Sequence, residues 1–198
     1  MLTVHKTALD GWPMMATSTM AGQKHLKAKV CLVGDVAVGK TSLIKRFVQD
    51  QFDDRYIATV GTKVTKKSVD VVWKGAPATL DMMVWDIMGE KGFRALLRDA
   101  YFEGSQGVIA VCDLTRKDTF YDLNNWVQMI RKQVGNVPMV FLGNKMDLTE
   151  RLVVSQEELG RMGSIHSAPQ FLASAKTGAG VAEAFRALAD AIGNRGNE

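Results

Sequence analysis

Only two cysteines, Cys31 and Cys112, occur in the 198 residues, and each sits inside an apolar run that reads as a buried strand. Two cysteines alone do not make a zinc site. Packing thiols in a reducing compartment suit them better than a disulfide. No run of about eighteen apolar residues is present, which excludes a membrane-spanning helix. Met1-Leu2-Thr3-Val4-His5-Lys6 leads into Asp10, Gly11 and Pro13 instead of an apolar stretch, so no secretory signal is expected. Leu2 stands where myristoylation needs glycine, and Asn194-Arg195-Gly196-Asn197-Glu198 offers no cysteine for prenylation. The expectation is a cytoplasmic protein without a stable membrane anchor. An excess of one charge is missing too: the formal net charge is +4 and the pI about 9.1. That is too mild, without a clustered patch, to indicate nucleic acid.

What is present is the composition of one soluble globular domain, with 46% hydrophobic and 23% charged residues. Residues 1–25 lack sustained periodicity and read as a flexible extension; Met14, Met15 and Met20 within it are alternative starts. The domain is expected over 26–198. Val30-Cys31-Leu32-Val33 suits a buried parallel strand, and a helix is expected from Thr41 to Val48. Thr62 to Trp73 and Thr79 to Trp85 read as a hairpin around Lys74-Gly75-Ala76-Pro77. Val108 to Cys112 and Met139 to Leu142 are two more strands, and between them Phe120, Leu123, Val127, Ile130 and Val134 fall at helical spacing. Ser155 and Glu158 make a capping-box pattern. Gln170 to Ala173 is the last strand, and Val181, Phe185, Leu188 and Ile192 line a final helix. This alternation implies a mostly parallel sheet with helices on both faces, and ligands bind such sheets beyond the carboxyl ends of their strands.

The residues at those ends carry the chemistry. Gly34-Asp35-Val36-Ala37-Val38-Gly39-Lys40-Thr41 is a complete phosphate-loop pattern. Its backbone N–H groups converge on phosphate oxygens in front of a helix N-terminus, with Lys40 as a point charge and the Thr41 hydroxyl as a Mg²⁺ ligand. Asp86 ends the third strand, where a carboxylate holds Mg²⁺ through water. Asn144-Lys145-Met146-Asp147 and Ser174-Ala175-Lys176 follow the fifth and sixth strands. Guanine presents two adjacent donors, N1–H and N2–H₂, which one carboxylate accepts in a fork; adenine has no such pair. Asp147 is that carboxylate.

Over roughly residues 28–193 the chain resembles a Ras-superfamily small GTPase, closest to Rab. The resemblance implies a three-layer α/β P-loop GTPase fold, its six-stranded, mostly parallel sheet having one antiparallel edge strand and helices on both faces. It implies GTP and GDP as substrate and product, with Mg²⁺. The nucleotide would be held by Val36, Ala37, Val38, Gly39, Lys40, Thr41 and Ser42. Asn144 would brace the loops, Lys145 would lie along the base, and the Ala175 N–H would meet the guanine oxygen between Ser174 and Lys176. Phe52 falls where the family stacks an aromatic edge on the base. Tyr56 to Gly61 resembles the first switch, with Thr59 closing on Mg²⁺ and the γ-phosphate. Trp85-Asp86-Ile87-Met88-Gly89-Glu90 resembles the second, whose usual form is WDTAGQ; the Gly89 N–H would sense the γ-phosphate. Lys40, Thr59 and Glu90 are the catalytic candidates. The implied partners are effector, exchange and activating proteins at the switch surface, with the chain as a monomer.

Three departures face the γ-phosphate. Glu90 replaces the usual glutamine, whose amide both accepts and donates, whereas a carboxylate only accepts and adds negative charge. Hydrolysis slows through that repulsion, or persists with Glu90 as a base; the residues leave both open. Val36 and Ala37 stand where Ras has glycines, and a β-branched side chain there crowds the catalytic group and any inserted arginine. Ile87 and Met88 replace small residues. Arg55 reads as a solvated switch residue rather than an arginine supplied in cis, and Lys63, Lys66 and Lys67 as the wet face and edge of a strand. Slow hydrolysis is therefore expected. The alternative is a module that holds GTP and scarcely hydrolyses it. An ATPase or nucleoside kinase conflicts with Asp147.

Overall fold

A computed structural model describes residues 24–53, 59, 62–87 and 101–195. In chain order its elements are β1 (Lys24–Val33), α1 (Lys40–Gln49), β2 (Thr62–Trp73), β3 (Ala76–Ile87), β4 (Ser105–Asp113), α2 (Lys117–Tyr121), α3 (Leu123–Val134), β5 (Met139–Asn144), a 3₁₀ turn (Thr149–Arg151), α4 (Gln156–His166), β6 (Gln170–Leu172) and α5 (Val181–Arg195). The six strands form one sheet in the order β2-β3-β1-β4-β5-β6. Among the described residues only the β2–β3 pair is antiparallel, which makes β2 the antiparallel edge strand. The expected architecture is the observed one.

Each sheet face has its own apolar layer. On one side Leu32, Leu80, Met82, Val84 and Val111 meet Leu43 and Ile44 of α1 and Phe185 and Leu188 of α5. Phe47 stacks on Phe185 with ring centroids 4.0 Å apart, locking α1 to α5. On the other side Val33, Ala110, Cys112 and Phe141 meet Leu123, Trp126 and Ile130 of α3 and Leu159 of α4. The β4 sequence SQGVIAVCD is buried at nearly every position, as a central strand covered on both faces must be. Both cysteines are free and buried, and burial pushes the Cys31 thiol up to about 11 and the Cys112 thiol up to about 12. They are packing groups.

Several boundaries differ from the expected ones; α1, β4 and β5 run one to three residues further, and four other differences have a structural reason or consequence. β1 begins at Lys24, inside the stretch read as an extension, because its exposed first half still pairs with β3 from Ala78 onward. The hairpin turn is the two residues Lys74 and Gly75, with φ of 53° and 76°, and Trp73 pairs with Ala76. Two consecutive left-handed residues match the twist of the flanking strands, so Ala76 and Pro77 belong to β3. The helical stretch after β4 is broken at Asp122 into α2 and α3. β6 ends at Leu172, one residue early. The Ser155–Glu158 capping box forms with both reciprocal bonds, and Glu158 also takes Lys117 Nζ on its carboxylate. On β2, Lys66 pairs with Asp81 at 2.7 Å, Lys67 lies over the Phe47 ring, and Lys63 is exposed.

Candidate functional site

The carboxyl ends of β1, β3, β4, β5 and β6 gather five chain segments at one edge of the molecule. The first is the loop between β1 and α1. Gly34 (φ 139°) passes so close to β4 that a Cβ would lie 2.1 Å from the Val111 carbonyl oxygen. At Gly39 (φ 100°) a Cβ would lie 2.2 Å from Asn144 Nδ2. These two glycines are therefore required by close approach as well as by backbone conformation. Between them Val38 is buried, while Val36 and Ala37 face solvent. Lys40, Thr41 and half-buried Ser42 form the first turn of α1, which has no side-chain cap and whose N–H groups have no partner within the helix ladder. Lys40 Nζ is 2.8 Å from the Gly34 carbonyl oxygen and 2.9 Å from that of Asp35, so its buried ammonium lies across the loop.

Beside the loop three oxygen-bearing side chains meet. Thr41 Oγ1 donates to Asp86 Oδ2 at 2.5 Å and is 2.9 Å from Thr59 Oγ1. Asp86 is 3% exposed, and its Oδ1 has no hydrogen-bond partner. Burial pushes this carboxyl above the usual range, against the pull of the Thr41 hydroxyl and of the charges on Lys40, Lys63 and Lys45. An orphaned, buried carboxylate oxygen costs free energy that a cation would recover. One carboxylate with two hydroxyls, all oxygen donors, fits Mg²⁺, which binds few protein groups and completes its shell with water and phosphate. Among the described residues no group of three or more His, Cys, Asp or Glu side chains offers a competing metal site.

The base-side loops are tied to the phosphate loop through one amide. Asn144, 2% exposed, donates from Nδ2 to the Val38 carbonyl at 2.9 Å and accepts at Oδ1 from the Ala175 N–H at 3.1 Å. The N–H expected at the guanine oxygen is thus given to Asn144. Asp147 Oδ1 accepts from the buried Ser174 hydroxyl at 2.6 Å, and Ser174 Oγ accepts from Thr177 N at 3.1 Å. Ser174 orients the Asp147 carboxylate. Lys145 (φ 71°) leaves β5 in a left-handed conformation, and Lys176 is exposed. Phe52, half-buried, packs against the core layer of α1 and α5. Tyr56, Gly89 and Glu90, with Arg55 and Met88, lie outside the described residues.

Several residues at this edge were missed by sequence reasoning. Arg46 on α1 donates from Nε to the Ala175 carbonyl at 2.9 Å and from Nη2 to that of Lys176 at 2.6 Å, clamping the last loop. Asp113, at the carboxyl end of β4, accepts from Lys145 Nζ at 2.6 Å and from Arg116 Nε at 3.1 Å. Burial alone would raise its carboxyl, but hydrogen bonds from Lys145 and from the Thr115 hydroxyl and N–H, with the Lys145 charge, hold it below the usual range. The signal is in the sequence: Asp113 ends a buried strand much as Asp86 does.

Comparisons with known proteins give the family. The family model described as Ras family matches residues 29–194. Ras-related protein Rab-13 from Bos taurus is 35% identical over 162 residues, 81% of this chain and 77% of that protein. Ras-related protein Rab-21 from Geodia cydonium is 34% identical, with 86% of this chain and 72% of that protein covered. Ras-related protein Rab-1D from Dictyostelium discoideum is 33% identical, with 89% and 85% covered. A phosphate loop, a carboxylate–hydroxyl pocket and a braced base loop, spanned by one family match, make this chain a Rab-like member of the Ras family of small GTP-binding switch proteins.

Proposed function

We propose that the chain binds GTP or GDP with Mg²⁺ at this edge and hydrolyses GTP slowly. The observation that carries the reading is the meeting of Thr41, Thr59 and Asp86, with Asp86 Oδ1 unpartnered. Thr59 belongs to the segment read as the first switch, so its hydroxyl ties that segment to the phosphate side of the site. The N–H groups of 36–42 take the phosphates, and Asp147, held by Ser174, takes the guanine edge. Thr41, Thr59 and, through water, Asp86 would hold Mg²⁺, which would supply positive charge at the terminal phosphates. Presence or loss of the γ-phosphate then orders or releases the switch loops and the surface offered to effector, exchange and activating proteins.

Slow turnover is argued from Val36 and Glu90. Val36 is 38% exposed on the phosphate loop, and a β-branched side chain there would narrow the approach to the γ-phosphate. The same observation favours the second reading, a module that stays loaded with GTP. Nucleotide extracted from the purified protein separates the two: mostly GDP supports the slow switch, mostly GTP the locked module. A single-turnover rate above about 10⁻² s⁻¹, the range of an arginine in cis, rejects both. Timed hydrolysis by wild type and Glu90→Gln assigns the role of Glu90. A large rise in the variant means that repulsion slows the step, and a large fall means that Glu90 acts as a base.

A further inference from the structure

Two side chains hold the phosphate loop from outside it, and neither belongs to a nucleotide-binding motif. Trp126 of α3 donates from Nε1 to Asp35 Oδ1 at 3.2 Å. Arg116, in the turn between β4 and α2, donates from Nη2 to the Val36 carbonyl at 2.8 Å. The guanidinium is itself fixed, because its Nε donates to Asp113 Oδ2. Asp113 has a side chain 2% exposed, and its Oδ1 accepts from Thr115 N at 2.9 Å and Thr115 Oγ1 at 2.7 Å. Arg116 is thus a strut with one end on a buried carboxylate and the other on the phosphate loop. Through Lys145 the same carboxylate is bonded to the base loop.

The contact on Val36 has a consequence for Ala37. A trans peptide unit is planar, so its carbonyl and the following N–H point in opposite directions. Holding the Val36 oxygen toward Arg116 therefore turns the Ala37 N–H away from Arg116. Ala37 sits at φ 62°, in the left-handed region that side-chain-bearing residues rarely enter. A glycine would adopt that conformation without help. Here the sequence has alanine, and an external hydrogen bond holds the peptide ahead of it.

We propose that Arg116 is a positioning residue for the nucleotide: anchored by Asp113, it sets the Val36–Ala37 peptide so that the Ala37 N–H faces the phosphates beyond the first. The proposal rests on the guanine-nucleotide reading above and adds the residue that keeps a glycine-poor phosphate loop in its binding conformation. Its signature is selective. Loss of the strut weakens ligands that carry a second phosphate and spares those with one.

The test is the dissociation constants of GMP and GDP, with Mg²⁺, for wild type, Arg116→Ala and Arg116→Lys, beside the thermal midpoint of each protein. In Arg116→Ala the GDP constant is expected to rise at least tenfold relative to that of GMP. Arg116→Lys, which keeps the charge but not the two-ended fork, is expected to recover less than half of that effect on a logarithmic scale. GMP and GDP weakening within threefold of each other overturns the proposal, since that is the mark of a general structural role. Full recovery by lysine overturns it as well, since charge alone then suffices. If the alanine variant does not fold, Arg116→Met, which keeps the stem without donors, is read in the same way. A wild type that binds no GDP rejects the underlying nucleotide reading instead.

Discussion

Asn144 and Gly39 are fitted to each other. The amide of Asn144 reaches the Val38 carbonyl at 2.9 Å only because residue 39 has no side chain, a Cβ there lying 2.2 Å from Nδ2. The amide also takes the Ala175 N–H, so phosphate loop and base loop share one buried group. In Asn144→Ala both partners lose their bond in a buried setting, at about 1–3 kcal/mol for each group left unsatisfied. GDP release should accelerate by about tenfold to a hundredfold. Stopped-flow dissociation of a fluorescent GDP analogue measures it.

Gly39→Ala should damage the same contact from the other side. The added methyl collides with Nδ2, and the φ of 100° is itself strained for alanine. Release of GDP should be as fast as in Asn144→Ala. The double variant supplies the check: with the amide gone the methyl has room, so the second substitution should cost less than it does alone. Strictly additive rates would show that backbone strain, and not the collision, dominates.

The fold was legible to within a few residues because its signals are local and repeated. Apolar runs such as Val30 to Val33 have few other uses in a chain of this size, and strand–helix alternation leaves few topologies. The phosphate and base loops were legible for a different reason: their residues are consecutive, so spacing alone identifies them. What spacing does not report is a bond made between segments far apart in the chain. Arg46 contacts Ala175, Trp126 contacts Asp35, and Arg116 contacts Val36, each from a distant segment and none with a motif of its own. The breaks at Asp122 and at Lys74-Gly75 were hidden likewise, because an uninterrupted apolar period does not reveal where one helix gives way to the next, nor a four-residue stretch which two residues make the turn.

Asp86→Asn should separate the stability of the empty protein from its use of Mg²⁺. Burial penalises the charged carboxylate in the folded state and not in the unfolded one. A neutral amide of the same shape escapes that penalty, so the thermal midpoint of nucleotide-free protein should rise. Retention of GDP should move the opposite way. The Mg²⁺ concentration that half-maximally slows release should increase by at least about tenfold, equivalent to about 1.4 kcal/mol. A midpoint that falls in the nucleotide-free protein would contradict the burial argument.

Glu158 links a helix cap to an ion pair, and pH separates the two. Hydrogen bonding from Lys117, aided by Ser155, lowers its carboxyl to about 2 from an ordinary 4.5. A carboxyl held lower in the folded state contributes stability above its unfolded value and loses it as pH falls through the folded one. The contribution should therefore be complete above pH 4.5 and fade toward pH 2. Glutamine at this position keeps the reciprocal cap bond but not the charge. Urea midpoints of wild type should exceed those of Glu158→Gln at pH 7 and converge with them as pH falls through that window. A constant difference across it would assign the effect to packing.

Val36→Gly tests whether the phosphate loop itself restrains hydrolysis. Val36 is exposed, so removing its side chain empties no part of the core, and its carbonyl, the acceptor for Arg116, is retained. Glycine loosens the unfolded chain and should lower stability by only about 0.5–1 kcal/mol. The gain is room beside the γ-phosphate for the catalytic side chain and its water. If crowding is what raises the barrier, relieving about 1.4 kcal/mol of it gives a tenfold faster single turnover. GDP release should meanwhile stay within about threefold of wild type, because no bond to Asn144 or Asp147 is touched. Turnover that rises together with release would point to a loosened loop instead. Unchanged turnover in Val36→Gly, set against a response in Glu90→Gln, would place the slow step at the carboxylate alone.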